Sequence, residues 1–350
     1  MGSVDQLPTL TLVVAAYNEE GYIEDKIKNT LELNYPKDKL QIIFVTDGSN
    51  DKTPDLIARY PQIKLMHRPE RAGKIAAVHR AMTEVSTEIV VFTDANTFLN
   101  KEALVRIALH YSDPTVGAVS GEKRVSIEEV SDATAGEGFY WKYESKLKTW
   151  DSELYSVVGA AGELFSVRAS LYVPVEKDTI LDDFMISMLI AKKGYRIVYE
   201  PMAYATESGS ENIKEELKRK VRIAAGGIQS IVRLKSLLFP LPYFTLSFQY
   251  ISHRVLRWTV TPFLMMLALV LNAYIIFKGN HSPLYLVLMA GQVGFYGASL
   301  MGWLLEKRQI KVKLLFIPYY FCMMNYAVIA GIGRYLKGSQ SAAWEKSKRK

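Results

Sequence analysis

The stretch TLTLVVAAYNEE, Thr9 to Glu20, decides the fold. Thr9 to Ala16 is a continuous β-rich apolar run, too short for a buried helix. It stops at Tyr17-Asn18-Glu19-Glu20, and a helical pattern follows from about Ile23 to Leu33. An uninterrupted apolar strand feeding a helix marks a sheet covered on both faces, hence a parallel one. The pattern then repeats. Gln41 to Thr46 gives a second strand, closed by Asp47-Gly48-Ser49-Asn50-Asp51 and followed by a helix from Pro54 to Arg59. Ile63 to His67 reads as a short third strand, Ala72 to Val85 as a helix, and Glu88 to Thr93 as a fourth strand ending at Asp94. The expected fold class is therefore α/β with a mostly parallel sheet. In such sheets ligands bind beyond the carboxyl ends of the strands. The polar turns at 17–20, 47–51 and 94–96 should line one crevice. Singly, Asp47-Gly48-Ser49 is a plain turn and Asp94-Ala95-Asn96 a helix cap. Three polar strand ends in succession point to a site.

Working outward, the chain divides in two. Residues 1–235 carry charges throughout, whereas uncharged runs occupy 237–252, 258–277, 283–305 and 314–333. The last three reach the roughly 20 residues that cross a hydrocarbon core. The first is shorter, holds Pro240 and Pro242, and is rich in Phe and Tyr, so 236–257 reads as an interfacial amphipathic segment. The net charge of +7 does not argue for nucleic acid. Arg254, Arg257, Lys307, Arg308, Lys311 and Lys313 flank apolar runs, where lipid phosphates and the positive-inside rule place them. The one cysteine, Cys322, excludes an internal disulfide and fits a domain facing a reducing cytosol. Val4 to Leu10 leads straight into a strand, so no secretory signal is expected, although a further helix before residue 1 stays open. The histidines offer no metal triad.

Further stretches stand in order along the first 230 residues: Arg71-Ala72-Gly73-Lys74, Phe92-Thr93-Asp94-Ala95-Asn96-Thr97, Gly159-Ala160-Ala161-Gly162, Leu181-Asp182-Asp183 and Arg219 to Gly226. Together with Val13 to Glu20 and Asp47 to Asp51, they resemble the inverting family 2 glycosyltransferases with a GT-A catalytic domain. Ser252-His253-Arg254-Val255-Leu256-Arg257-Trp258 resembles the entry to the first membrane span in the polysaccharide-synthesising branch of that family.

The resemblance implies roles. Asp47, with Ala15, Tyr17 and Glu19, would hold the uracil and ribose of a UDP-sugar, and Lys74 would help place the nucleotide. Asp94 and Asn96 stand at the family's Asp-x-Asp motif, where a bound Mg²⁺ or Mn²⁺ would bridge the diphosphate. Asn96 is a departure, because a neutral oxygen replaces the second carboxylate. Asp183 would be the general base and Asp182 would position it or the acceptor; the plain alternative is helix capping. Gly159, Ala160, Ala161 and Gly162 would let backbone approach the acceptor closely. The Gln-x-x-Arg-Trp motif reads Arg219-Lys220-Val221-Arg222-Ile223 here. Arg222, with Arg219, would clamp the diphosphate, but Ile223 lacks the aromatic face that serves processive synthases. Lys218 and Lys220 read as a solvated or headgroup-facing helix face. Tyr140, Trp141, Tyr143 and Trp150 fall at helical spacing and read as core rather than as an acceptor groove.

These expectations assemble into a cytosolic GT-A domain over residues 1–235, two or three transmembrane helices within 258–335 and a basic tail over 336–350. With the catalytic domain inside the cell, a third full span at 314–333 would put that tail outside, against the positive-inside rule. That segment, broken by Pro318, Gly331 and Gly333, would then re-enter or lie in the interface. The tail Gly338 to Lys346 resembles a cytosolic tail motif of the branch. The expected activity is metal-assisted transfer of a sugar from a nucleotide diphosphate, UDP above all, to a polysaccharide or lipid-linked glycan at the plasma membrane. Processive synthesis and a non-catalytic nucleotide-binding scaffold are the alternatives. A transporter fits less well, because the apolar runs hold no charged residue. Two or three spans are few for export of a polymer, which would need an oligomer or partner.

Overall fold

The computed structural model describes residues 7–125, 132–208, 212–239, 241–308, 310 and 312–338, and only the backbone of 132–141 and 313. The tail motif at 339–346 and the side chains of Tyr140 and Trp141 lie outside the described residues.

Eight strands form one sheet in the order β3-β2-β1-β4-β7-β6-β8-β5. They are β1 (Leu10–Ala16), β2 (Leu40–Asp47), β3 (Lys64–Arg68), β4 (Ile89–Asp94), β5 (Phe98–Leu99), β6 (Val116–Val125), β7 (Leu164–Arg168) and β8 (Arg196–Glu207). The half from β3 to β4 is parallel throughout, as the strand–helix alternation demands. The other half is mixed: β7 runs antiparallel to both β4 and β6, and β5 antiparallel to β8, while β6 and β8 are parallel. β7 starts from the site end of the sheet, with Leu164 opposite Thr93, so the loop Gly159–Glu163 is delivered beside Asp94.

Helices α1 (Ile23–Leu31), α2 (Thr53–Ala58), α3 (Lys74–Met82), α4 (Ala103–Leu109), α5 (Asp132–Leu154) and α6 (Asp182–Lys192) belong to the sheet domain. Every residue of β1 is buried. Val13 and Ala15 pack on one face with Ile75, Val78 and Met185; Leu12, Val14 and Ala16 pack on the other with Ile23, Ile27 and Leu104. Each such side chain contributes about 1.5–3 kcal/mol of burial.

Helix α7 (Ile213–Arg233) leads out of the domain to α8 (Phe244–Tyr250), α9 (Leu256–Thr259), α10 (Thr261–Phe277), α11 (Pro283–Lys307) and α12 (Lys313–Leu336). Pro283–Lys307 and Leu314–Leu336 are long and apolar enough to cross a membrane. The expected span at 258–277 starts at a bend: α10 leaves the helical stretch Phe244–Thr259 at 63°, and the two together are apolar enough for one broken span or a re-entrant loop, so two or three spans both fit. Residues 314–333, by contrast, are not broken: α12 runs continuously through Pro318, Gly331 and Gly333. Gly331 serves packing, since a Cβ there would come 2.5 Å from the Ala224 Cβ on α7. Phe244 and Phe248, four residues apart on α8, are exposed while Leu246 and Tyr250 are buried, as an interfacial helix requires.

Candidate active site

The turns after β1 and β2 interlock. The Asn18 side chain exchanges hydrogen bonds with Asn50, the Asn18 backbone N–H donates to Ser49, and the Glu19 N–H donates to Thr53. Glu19 is buried, and its carbonyl starts α1, so it supports the turn rather than lining the crevice. The crevice itself is lined by Ala15, Tyr17, Asp47, Arg71, Gly73 and Lys74. Asp47 accepts the backbone N–H groups of Ala72 and Gly73 at 3.0 and 2.6 Å, which fixes the loop leading into α3. Gly48, at φ +70, lets that loop close, because a Cβ would lie 2.6 Å from the Arg71 Cβ. The Arg71 guanidinium sits 4.0 Å from the centre of the Tyr17 ring. Arg71 was not among the expected site residues, although it opens the Arg71-Ala72-Gly73-Lys74 stretch.

Lys74 opens α3 and reaches Asp94 at 2.8 Å and Asp182 at 3.9 Å. Burial alone would lower its pKa, but Asp182, Asp94 and Asp183 together hold it above the ordinary lysine value. The turn carrying Asp94 is braced from behind by Lys26, which sequence reasoning did not single out. This fully buried lysine donates to the Thr97 carbonyl at 2.6 Å and to Thr93 at 3.3 Å, and Thr97 in turn donates to the Asp94 carbonyl. Burial pulls the Lys26 pKa down to about 7, opposed by Asp94.

Asp182 and Asp183 form the first turn of α6 without a side-chain cap on its N-terminus. The loop before them is tied to α7. Gln229 accepts from the Ile180 N–H and donates to the Asp178 carbonyl, Arg233 pairs with Asp178 at 2.7 Å, and Gly226 allows Ile180 and Leu181 to press on the helix. Residues 233, 229, 226 and 222 share one helix face, so Arg222 continues the face that holds this loop. Gly162 lies against Asp183, and a Cβ there would stand 3.0 Å from Asp183 Oδ2. Burial, and then the neighbouring Asp182, push the Asp183 pKa up to about 7, with Lys74 opposing. A carboxylate tuned near neutrality suits proton abstraction.

Asp183 opens on a cavity of about 730 Å³ between the sheet domain and the helices that follow it. Gly159 to Glu163 form one wall; Arg219, Lys220 and Ile223 of α7 a second; Trp258, Tyr320 and Phe321 a third. Gly159 needs its φ of +84, and a Cβ there would stand 2.1 Å from the Phe184 ring. The Ala160 and Ala161 N–H groups donate to Ser187 and Ser120.

Two expectations fail here. Lys220 is not solvated: it is buried, lines the cavity and pairs with Glu216 at 3.4 Å. Tyr143 and Trp150 are not core, being 52% and 51% exposed, and Tyr143 lines the cavity. Arg219 sits among carboxylates, 3.0 Å from Glu216 and 4.0 Å from Glu207. Glu207 also pairs with the fully buried Lys123, which reaches Glu163 at 2.7 Å. The cavity wall is thereby fixed by a chain of ion pairs running from the Gly159–Glu163 loop to α7.

Among the described residues no three His, Cys, Asp or Glu side chains are grouped to hold a metal ion. Asp94 with Asn96 offers one carboxylate and one amide. That set suits an ion whose remaining ligands are substrate phosphates and water, the usual manner of Mg²⁺.

With this geometry in view, the comparisons are informative. The family model described as glycosyl transferase family 2 matches residues 11–173. The poly-beta-1,6-N-acetyl-D-glucosamine synthase of Staphylococcus aureus (strain MSSA476) is 29% identical over 251 residues, covering 68% of this chain and 60% of the synthase. The protein named probable glycosyltransferase YdaM in Bacillus subtilis (strain 168) is 26% identical over 262 residues, with the same shares. The chain thus spans about three fifths of the length of these relatives. The fold matches that of the mannosyltransferase PcManGT from Pyrobaculum calidifontis, solved with GDP-Man and Mn²⁺, with a TM-score of 0.71 and 24% identity. That likeness covers 96% of this chain and 89% of PcManGT, and so includes the C-terminal helices. The crevice, Lys74, Asp94 and the loop reaching Asp183 all fall within the segment 11–173 that matches the glycosyl transferase family 2 model.

Proposed function

We propose that the protein is an inverting glycosyltransferase acting at a membrane. It moves a sugar from a nucleotide diphosphate to a glycan, and polysaccharide synthesis is the form its relatives favour. One observation carries this: Asp183 stands between the Lys74–Asp94–Asp182 cluster at the strand ends and the large cavity behind the Gly159–Gly162 loop. A donor phosphate on one side and an acceptor hydroxyl on the other would meet at this carboxylate.

The nucleotide base lies in the crevice between Tyr17, Asp47 and Arg71, and the diphosphate reaches Lys74 and Arg222. The acceptor enters by the cavity. Asp183 takes the proton of the acceptor hydroxyl while its oxygen forms a bond to the anomeric carbon. The bond from that carbon to the diphosphate breaks, its electron pair leaves with the nucleotide, and the single displacement inverts the centre. Mg²⁺ or Mn²⁺ held by Asp94 and Asn96 would screen the charge on the departing diphosphate. Lys74 and Arg222 do the same with their own charges. The two long apolar helices and the exposed Phe244–Phe248 face support a seat at the bilayer; the domain of residues 1–235 would then lie on the cytosolic side. Export of a polymer through so few helices would call for a second copy or a partner.

The test is release of UDP and formation of product by the purified full chain in lipid nanodiscs, from a panel of UDP-sugars with Mn²⁺. Turnover that is lost in Asp183→Asn supports the proposal. No turnover of any donor, with membrane extract as acceptor, leaves the non-catalytic scaffold as the better account.

A further inference from the structure

One buried cation in the cavity has no part in the chemistry above. Lys148, on α5, is 5% exposed and lines the cavity. Among the described residues its ammonium makes no hydrogen bond and no ion pair; the Tyr199 ring lies 5.5 Å from Nζ. Burial lowers its pKa, while Glu122, Glu144 and Glu163 pull the other way without touching it. An ammonium has three donors, and with no acceptor among the described residues those of Lys148 are open to a ligand in the cavity. Arg254 lines the same cavity. Its Nε donates to the Val158 carbonyl at 3.2 Å and its Nη1 to Glu144 at 3.3 Å, which leaves Nη2 available to a ligand. Arg254 lies in the π-helical turn Ile251–Val255, an irregularity that often marks function.

We propose that Lys148, with Arg254 beside it, is an acceptor-binding residue that donates hydrogen bonds to oxygen atoms of a saccharide in this cavity. It fixes the sugar so that the reacting hydroxyl faces Asp183, and it rests on the cavity being the acceptor site. The lining favours a saccharide over a free or lipid phosphate. Glu144, Glu163 and Asp183 line the cavity among its cations, and they can accept hydrogen bonds that a sugar hydroxyl donates and a phosphate dianion cannot. A sugar hydroxyl both donates and accepts, so it uses a wall of mixed sign fully. Tyr143, Trp258 and Tyr320 add aromatic faces for the apolar sides of sugar rings.

The experiment uses the full chain in nanodiscs, UDP-N-acetylglucosamine as donor and β-1,6-linked N-acetylglucosamine oligosaccharides as acceptor probes. In Lys148→Met, which keeps the apolar stem, the acceptor KM should rise at least tenfold. The donor KM and the acceptor-independent release of UDP should stay within twofold, and Lys148→Arg should recover most of the loss. Titration of intrinsic fluorescence with the oligosaccharide should show the same weakening without turnover. A folded Lys148→Met variant with unchanged acceptor KM overturns the proposal while leaving the transferase reading intact. Wild-type protein that neither transfers to nor binds the oligosaccharides overturns the cavity reading and the proposal with it. Weakened binding of vesicles carrying isoprenyl phosphate, with oligosaccharide binding unaffected, makes Lys148 a phosphate anchor and defeats the saccharide assignment.

Discussion

The two sides of Asp183 are built in opposite ways. The shelf proposed for the donor is assembled from turns at the ends of adjacent parallel strands, tied by short hydrogen bonds such as Asn18–Asn50 and Asp47–Gly73. Its groups Lys74, Asp94 and Asp182 already pair with one another. The cavity proposed for the acceptor is walled by elements far apart in the chain, from α5 to α12, and one of its buried charges, Lys148, has no hydrogen-bond or ion-pair partner among the described residues. A shelf for a nucleotide diphosphate can be rigid and local, because the ligand is one fixed chemical unit. A cavity for a glycan must be open, because its ligand extends beyond one fixed unit. The comparison teaches where substitutions should cost binding, where chemistry, and where folding.

The largest effect should come at the boundary. Replacing the base in Asp183→Asn should lower kcat by about 10²–10⁴-fold, the usual contribution of a general base, with the donor KM little changed. Steady-state UDP release checks it; a loss seated in donor KM instead would move Asp183 onto the donor shelf. Next in size is Lys74→Met. It uncovers Asp94 and Asp182, and the donor KM should rise about 10–100-fold, in keeping with about 1.5–3 kcal/mol for a hydrogen bond to a charged group. UDP titration by calorimetry should weaken by the same factor, and binding of the oligosaccharide should not change. If acceptor binding fell equally, the two sides would not be separable.

Much of the donor shelf was legible in the sequence, and little of the cavity was. Strand-end turns are local: Tyr17, Asp47 and Asp94 each follow an apolar run, and parallel pairing of β2, β1 and β4 must bring such turns together. Arg71 could have been found by the same logic, since it precedes the Gly73-Lys74 start of α3. The cavity obeys no such rule. Lys148 and Lys220 look like any helical lysines until α12 covers them, and Tyr143 was mistaken for core because helical spacing does not say which face is open. The antiparallel entry of β7 was equally hidden, although it is what brings Gly162 to Asp183. The continuity of α12 was missed because Gly331 reads as a breaker in sequence and is a contact point with α7 in space.

The Gly159–Gly162 loop permits a finer test, because its two glycines serve different ends. Gly159→Ala forces a side chain into a left-handed backbone and against Phe184; strain and overpacking each cost on the order of 1–3 kcal/mol. Thermal unfolding should show a clear loss of stability. Gly162→Ala meets only the tip of Asp183, so its melting temperature should move little while kcat falls several-fold. Equal destabilisation by both would mean that the loop is a structural support and not an approach surface for the acceptor.

The smallest predicted effect is a shift in pH dependence, and it bears most directly on how the two sides communicate. Asp183 carries a pKa raised to about 7 by burial and by Asp182. A base must be deprotonated to act, so kcat/KM for the acceptor should be low below pH 7 and rise tenfold per unit before levelling above it. Asp182→Asn removes a like charge that raises the Asp183 pKa, so the rising limb should move to lower pH. Lys74→Met removes an opposite charge that lowers it, so in that variant the limb should move to higher pH. Opposite displacements would mean that the donor cluster sets the protonation of the group that faces the acceptor. If neither variant moved the limb, the titrating group would be something other than Asp183, and the two sides would act independently.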